Sequence, residues 1–342
     1  MAYIKGMGLI SPVDSVGNTL LNLQIPSVSG GAYTCIEPDY KNYINPKLLR
    51  RMARLIKMSV AAATIALKDA NIKLPDAIIT ATGLGCLQDT EVFLREIIRE
   101  NESLLSPTAF IKSTHNTVGG QIALLLGLNA YNMTYSNRNF SFESALIDAQ
   151  LLLQEGEGQN ILVGGLDELT PTSTTFLQGL SCIANGENDI LPAGGEGAGF
   201  LVLSHNDEGK NYAIIKQVSV AKATDDESIV QLIDNFVEQA GINTGKVDLI
   251  LTGAQSEQIY ITTYASVIQE KFTCAVGGYT HLSGTYFTSS AMACWLAALM
   301  INEQSIPSHI LYSGSFNKPL HHILIYNRDS DNNHALILVS KC

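Results

Sequence analysis

Tyr131–Gln154 reads YNMTYSNRNFSFESALIDAQLLLQ. The first residues alternate, which places Met133 and Tyr135 on one face of an expected strand. From Phe142 onward, Phe142, Ala145, Leu146, Ala149 and Leu152 recur at helical spacing and give the next element one apolar face. A short polar turn joins the two. A strand that breaks sharply into a helix presents its turn residue at the helix N-terminus, where free N–H groups and the macrodipole favour negative charge. A thiol at such a turn would be a stabilised thiolate.

The run resembles the nucleophile elbow of the β-ketoacyl-ACP synthases, members of the thiolase-like condensing enzymes. In that family a Thr/Ser-rich turn carries the catalytic Cys and an Ala-rich helix follows. Laid on this chain without a gap, Thr134, Ser136, Ser141, Ala145 and Ala149 match, and the Cys position falls on Asn139. Other motifs agree. Gly6-Met7-Gly8-Leu9-Ile10-Ser11-Pro12 resembles the family's opening strand, and Arg51-Met52-Ala53-Arg54 resembles a family helix. Residues 106–128 resemble the segment that lies against the dimer partner, and Gly195-Glu196-Gly197-Ala198-Gly199 is similar to a ketosynthase signature. The resemblance implies an α/β, thiolase-like fold: two pseudo-repeated α/β halves, residues 1–205 and 206–342, in a layered αβαβα arrangement. Similarity between the halves is not visible in the sequence.

Composition is consistent with this reading. A chain of 342 residues is too long for one simple core, and 46% apolar against 15% charged residues marks a well-buried globular protein. No apolar run approaches the ~20 residues that cross a bilayer. The N-terminus lacks the charged leader and apolar block of an export signal, and the six scattered cysteines have no paired spacing, so a reducing cytoplasm is expected. A net charge of −11 argues against nucleic acid and anionic membranes. The one basic cluster, Arg50, Arg51, Arg54 and Lys57 on a helix expected from Pro46 to Asn71, reads as a solvated face.

By the resemblance, an active synthase needs the Cys and two His residues that assist decarboxylation and stabilise charge on the thioester oxygen. The first His position falls on Gly253, after VDLILT. The second is retained as His281 in GGYTHLSG, with Val276 at the family's Lys position. The C-terminal glycine-rich gate falls on NRDSDNN at 327–333, of which only Asn327 is kept. That turn has His334 and Ser340 where a calcium loop needs Gly and Glu, so no calcium site is expected. Neither glycine run has the strand–loop–helix context of a dinucleotide fingerprint, so no cofactor is expected. His115, beside Asn116 at a helix start, reads as a capping or packed residue.

Asn139 has no nucleophilic lone pair, and Ser136 or Ser141 would need an adjacent base. The combination resembles the chain-length factors, silent ketosynthase homologues that pair with an active synthase and shape its product tunnel. Relatives from aryl-polyene and flexirubin-type pigment clusters look similar at the elbow. The implied partner is an active ketosynthase, or a second copy of the chain, with acyl carrier protein met indirectly. Phe110, Met133 and Phe140 are the expected acyl-pocket and dimer-interface residues. Two alternatives stay open: an acyltransferase, hydrolase or malonyl decarboxylase using His281 and a hydroxyl, and an acyl-binding homodimer without chemistry.

Overall fold

The elbow strand forms one edge of a large mixed sheet. In the computed structural model the described residues are 1–15, 17–21, 23–29, 31–103, 105–183, 193–254, 261, 264–316 and 319–342, with 178–183, 270 and 271 described for their backbone alone. The chain begins β1 (Ala2–Ile10), β2 (Ala32–Tyr33), α1 (Pro46–Leu49), α2 (Arg54–Asp69), β3 (Ala77–Ala81), α3 (Leu87–Arg99), α4 (Pro107–Ser113) and α5 (Thr117–Leu126). It continues through β4 (Tyr131–Tyr135), α6 (Ser141–Glu155), β5 (Asn160–Asp167), α7 (Pro171–Ile183), β6 (Gly194–Gly195) and β7 (Gly197–Ser204). Then come β8 (Ile214–Lys222), α8 (Asp226–Gln239), β9 (Leu249–Thr252), α9 (Ala265–Lys271), β10 (Ala275–Gly278), α10 (Ser290–Glu303), β11 (Leu311–Ser313), β12 (His322–Arg328) and β13 (Asn333–Ser340).

The sheet order among these residues is β11-β10-β9-β12-β13-β8-β1-β7-β5-β3-β4. Outward from the β8–β1 junction, both sides follow one plan. On one side β1 and β5 are antiparallel to β7, and β5, β3 and β4 run parallel. On the other side β8 and β12 are antiparallel to β13, and β12, β9 and β10 run parallel, with β11 added at the edge. The opening strand of each side thus pairs with its closing strand. A repeat that is invisible in residue identity is plain in strand order. Within the sheet the two sides join at Ala2–Ile215 and Tyr3–Ile214, and backbone hydrogen bonds of Ile4 with Tyr212 and Ala213 extend the junction.

Five layers follow from the packing. Helix α6 packs on β3, β4 and β5 and also on β8, while α10 packs on β1, β5 and β7 and also on β12 and β13. These two helices are the middle layer. Every residue of α10 from Ser290 to Ile301 is buried, as expected of a helix apolar all round and covered on both sides. Helices α2 and α5 cover the outer face of one side, and α8 and α9 that of the other. The central strands are therefore buried on both faces and read as continuous apolar runs, as AIITA and LILT do. The G-x-G of the opening strand has a packing cause. A Cβ on Gly6 would lie 2.4 Å from the Ala66 carbonyl oxygen, and one on Gly8 would lie 2.1 Å from that of Ala62, so α2 can approach β1 only over glycine.

Several sequence expectations are corrected. The helix expected from Pro46 to Asn71 is two helices, because Ala53 is extended (ψ 157°) and the chain restarts at Arg54. Residues 26–45 are not all loop: Ala32–Tyr33 pairs with β6. Of the helix expected at 257–271, Ala265–Lys271 is observed and residues 257–260, 262 and 263 lie outside the described residues. No helix among the described residues is long and apolar enough to cross a membrane.

Candidate functional site

The elbow is sharp. Between β4 and α6 the chain makes a single 3-10 turn, Arg138–Phe140, in which Arg138 adopts a φ of +45°. A left-handed non-glycine residue is strained, and such strain persists only where neighbours hold it. Ser141 is the holder. Its Oγ accepts the Asn137 N–H at 2.8 Å and donates toward the Thr82 and Arg138 carbonyls at 3.0 and 2.8 Å. Fully buried and engaged in this way, the Ser141 hydroxyl is a structural group with no free direction for attack.

Asn139 opens on a cleft of about 80 Å³ assembled from strand carboxyl ends. Gly253 follows β9, Tyr279 and Thr280 follow β10, and Asn327 and Arg328 end β12; all line the cleft with Asn139 and Phe140. Ligand sites of α/β sheets gather at such carboxyl ends. Thr280 Oγ1 donates to the Gly253 carbonyl at 2.9 Å, and the Tyr279 hydroxyl donates to Asn327 Oδ1 at 3.0 Å. A Cβ on Gly253 would sit 2.8 Å from Asn327 Oδ1, so Asn327 occupies the space of a larger residue at 253. Asn139 is tied to the β12–β13 hairpin. Burial works against ionisation of Asp329, but hydrogen bonds from Asn333, the Asn333 and Asp331 backbone amides and the Asn139 amide hold its carboxyl below the usual carboxylate range. The supposed calcium loop is a hairpin turn whose carboxylate is already used by its own backbone.

His281 stands elsewhere. It lines neither this cleft nor the larger, more apolar pocket of about 340 Å³ that also opens at Asn139. Its ring packs edge-on to His309 at 6.1 Å and near Tyr312 at 6.3 Å, and neither ring nitrogen has a hydrogen-bond partner among the described residues. Burial, with the neighbouring His309, pulls it down to about 4, so the imidazole is neutral. From the same segment Tyr286 reaches both pockets instead. Neither pocket is lined by a Cys or a His among the described residues. Cys86 is buried at the start of α3, between Leu84 and Leu87 of the larger pocket but not itself in its lining; Cys294 is buried within α10, and the Cys182 side chain lies outside the described residues. Those residues hold no group of three or more His, Cys, Asp or Glu placed to bind a metal.

Of the expected interface residues, Phe110 is 56% exposed and Met133 42% exposed on the free edge strand, whereas Phe140 is buried inside the cleft. The two placements separate an outer apolar face from the cleft wall. Phe110 packs on Phe93 of α3 at 5.7 Å. His115 is exposed, and a Cβ on Gly85 would lie 3.3 Å from its ring; the N-cap of α5 is Asn116, whose side chain makes no capping hydrogen bond.

The motifs of the sequence give no sign that the carboxylates of Glu143, Asp167 and Glu196 are buried. Glu143, in the first turn of α6, is fully buried; its oxygens approach the Ser290 hydroxyl and the Asn327 amide without forming a well-aligned hydrogen bond, and burial raises it to about 7. Its position one turn before Leu146, on the core-facing stripe, is the signal that could have found it. Asp167 accepts from Thr82 Oγ1, the Gly83 N–H and both the Thr288 N–H and Oγ1 at 2.8–3.0 Å, pinning the β3 turn to the start of α10. Glu196, from the glycine signature, makes a bidentate pair with Arg54 at 2.5 and 2.6 Å and accepts the Cys35 and Leu169 N–H groups. Two motifs read separately are thus one ion pair, and Arg54 leaves the solvated face to which it was assigned.

An elbow, a cleft at the strand ends and five layers define a thiolase-like fold. Residues 35–180 match the family model described as the N-terminal domain of beta-ketoacyl synthases. A 3-oxoacyl-[acyl-carrier-protein] synthase 2 of Staphylococcus aureus (strain N315) is 22% identical over 235 residues, 58% of this chain and 56% of the relative; the chain spans about half the length of the curated relatives it matches. Among solved structures, the ishigamide ketosynthase/chain length factor superposes with a TM-score of 0.77 at 17% identity, over 100% of this chain and 99% of the other. A type II polyketide ketosynthase in complex with its acyl-carrier protein and bound to the hexaketide gives 0.76 at 18% identity, over 100% and 99%. The chain has the thiolase-like fold, and over residues 35–180 it is similar to the N-terminal domain of the beta-ketoacyl synthases.

Proposed function

We propose that the chain is a catalytically silent ketosynthase-like subunit of fatty-acid- or polyketide-type assembly, acting like a chain-length factor beside an active synthase. The carrying observation is the pair of pockets at the elbow, which hold Asn139 and Gly253 and present neither thiol nor imidazole among the described residues. Covalent acyl transfer needs a nucleophile and a base, and removing such groups commonly costs orders of magnitude in rate. Incubated with acyl-ACP and malonyl-ACP, the purified chain is expected to show no acyl adduct by intact mass spectrometry and no condensation product. Asn139→Cys is expected to remain inactive in condensation, because no imidazole faces it among the described residues. A stable acyl adduct on the unmodified chain would overturn the proposal.

The free β4 edge supports the pairing. Its outer backbone groups, which pair with no strand among the described residues, and exposed Met133 are the kind of surface a two-fold partner covers. Met133→Lys is expected to abolish co-purification with a co-expressed ketosynthase while changing the chain's own stability by no more than about 0.5 kcal/mol. Native mass spectrometry of the co-expressed pair distinguishes a heterodimer from a homodimer.

A further inference from the structure

We propose that His281 and His309, at the β10–β11 edge of the sheet and outside the elbow cleft, bind a monovalent copper ion. Three ring nitrogens carry the inference. Nδ1 and Nε2 of His281 and Nε2 of His309 are buried without a hydrogen-bond partner among the described residues, in two rings whose centroids lie 6.1 Å apart. His281 is 9% exposed. Native proteins rarely leave buried polar atoms unmatched, so such a cluster calls for an ion or a bridging molecule. Each neutral imidazole keeps a nitrogen lone pair, which is a metal ligand. The nearby Tyr312 hydroxyl does not fill the gap, because it donates to the Ala254 carbonyl at 2.8 Å. Both rings stand on paired backbone. His281 lies in the turn after β10, where the Leu282 N–H donates to the Tyr279 carbonyl at 3.0 Å. His309 lies in the 3-10 turn that enters β11, and the Gly277–Leu311 pairing joins the two segments. Half-buried His309 leaves the ion a route in.

Ligand number, spacing and charge select the ion. The described residues add no third His, Cys, Asp or Glu to the pair. Zinc takes four ligands in a tetrahedron, which at N–metal distances of about 2.0–2.1 Å would hold two imidazole centroids roughly 5 Å apart. Copper(I), which imidazole suits, also accepts two ligands in a straight line, and with similar bond lengths that line sets the centroids roughly 6 Å apart. The observed 6.1 Å matches the line, and the 82° between the ring planes is free to vary about it. The cost of burying a charge grows with its square, and no carboxylate among the described residues acts on either ring, so a dication is the worse guest. This inference is independent of whether the chain pairs with a synthase.

The test blocks the reactive thiols of the full chain with N-ethylmaleimide, because thiolates compete for copper, and titrates the protein anaerobically with the Cu(I)–bicinchoninate complex. The chain is expected to take one copper ion from the chelator, and X-ray absorption is expected to show a two-coordinate ion with nitrogen neighbours alone. His281→Phe and His309→Phe are each expected to weaken binding by at least about tenfold, the scale on which even the groups behind a metal ligand act. The exposed control His205→Ala is expected to leave it unchanged. Zn2+ is expected to bind at least about tenfold more weakly than copper, following the charge argument. Circular dichroism checks the fold of each variant, and half-buried His309 carries the test alone if His281→Phe does not fold. The proposal fails if the chain takes no copper from the chelator, if the bound ion has sulfur neighbours, if Zn2+ binds as tightly, or if His309→Phe binds like the unmodified chain.

Discussion

Arg54→Met is expected to lower the stability of the chain by about 3–5 kcal/mol, the usual cost of stranding one partner of a buried ion pair. Glu196 is 1% exposed, and the guanidinium covers both its oxygens at 2.5 and 2.6 Å. The Cys35 and Leu169 N–H groups would remain on the carboxylate, so the loss stops short of unfolding an otherwise intact chain. Urea denaturation followed by fluorescence measures it. Removing both charges in Arg54→Met/Glu196→Leu is expected to recover part of the loss, because the uncompensated charge goes with its partner. A single-variant change below about 1 kcal/mol would show that the pair is solvated in solution, as exposed ion pairs are.

The second large effect depends on pH. Burial raises the Glu143 carboxyl from the ordinary 4.5 to about 7, so the folded chain holds this proton longer than the unfolded chain does. The stability associated with Glu143 is therefore fully present below about pH 4.5 and declines as pH rises towards 7. Above that it is lower by up to about 3 kcal/mol, because each pH unit separating the folded and unfolded titrations is worth about 1.4 kcal/mol. Glu168, raised by burial to about 7, adds a decline of the same sign. Glu143→Gln is expected to raise stability by no more than about 1 kcal/mol at pH 5 and by as much as ~3 kcal/mol at pH 8. Thermal unfolding at the two pH values reads the difference. An equal effect at both would mean that the carboxyl is ionised throughout and stabilised in a way its surroundings do not reveal.

Legibility differed between fold and site for identifiable reasons. Strand and helix periods expose the elbow directly: alternation through Tyr135 and a helical stripe from Phe142 correspond to β4 and α6. The residues on which the site depends follow a different logic. Glu196 looked like part of a glycine run and Arg54 like part of a basic helix face, and nothing along the chain joins positions 142 residues apart. His281 is named by a local motif, and its place in the fold is not. A His followed at a short interval by Gly284 resembles a family motif, but the loop between β10 and α10 carries His281 toward His309 and sends Tyr286 to the cleft. Spacing within a loop does not specify which residue faces inward, because loop backbone has no period.

Residue identity and local period were enough to specify most of the elements and their alternation, with Asn139 at the turn between β4 and α6. Which groups share the cleft was set by the folded arrangement. The carboxyl ends of β4, β9, β10 and β12 come from both sides of the sheet, and the packing of α6 against α10 brings Glu143 to Ser290. Hydrogen bonding and burial act between neighbours in space, and this fold makes its functional neighbours from segments far apart in the chain.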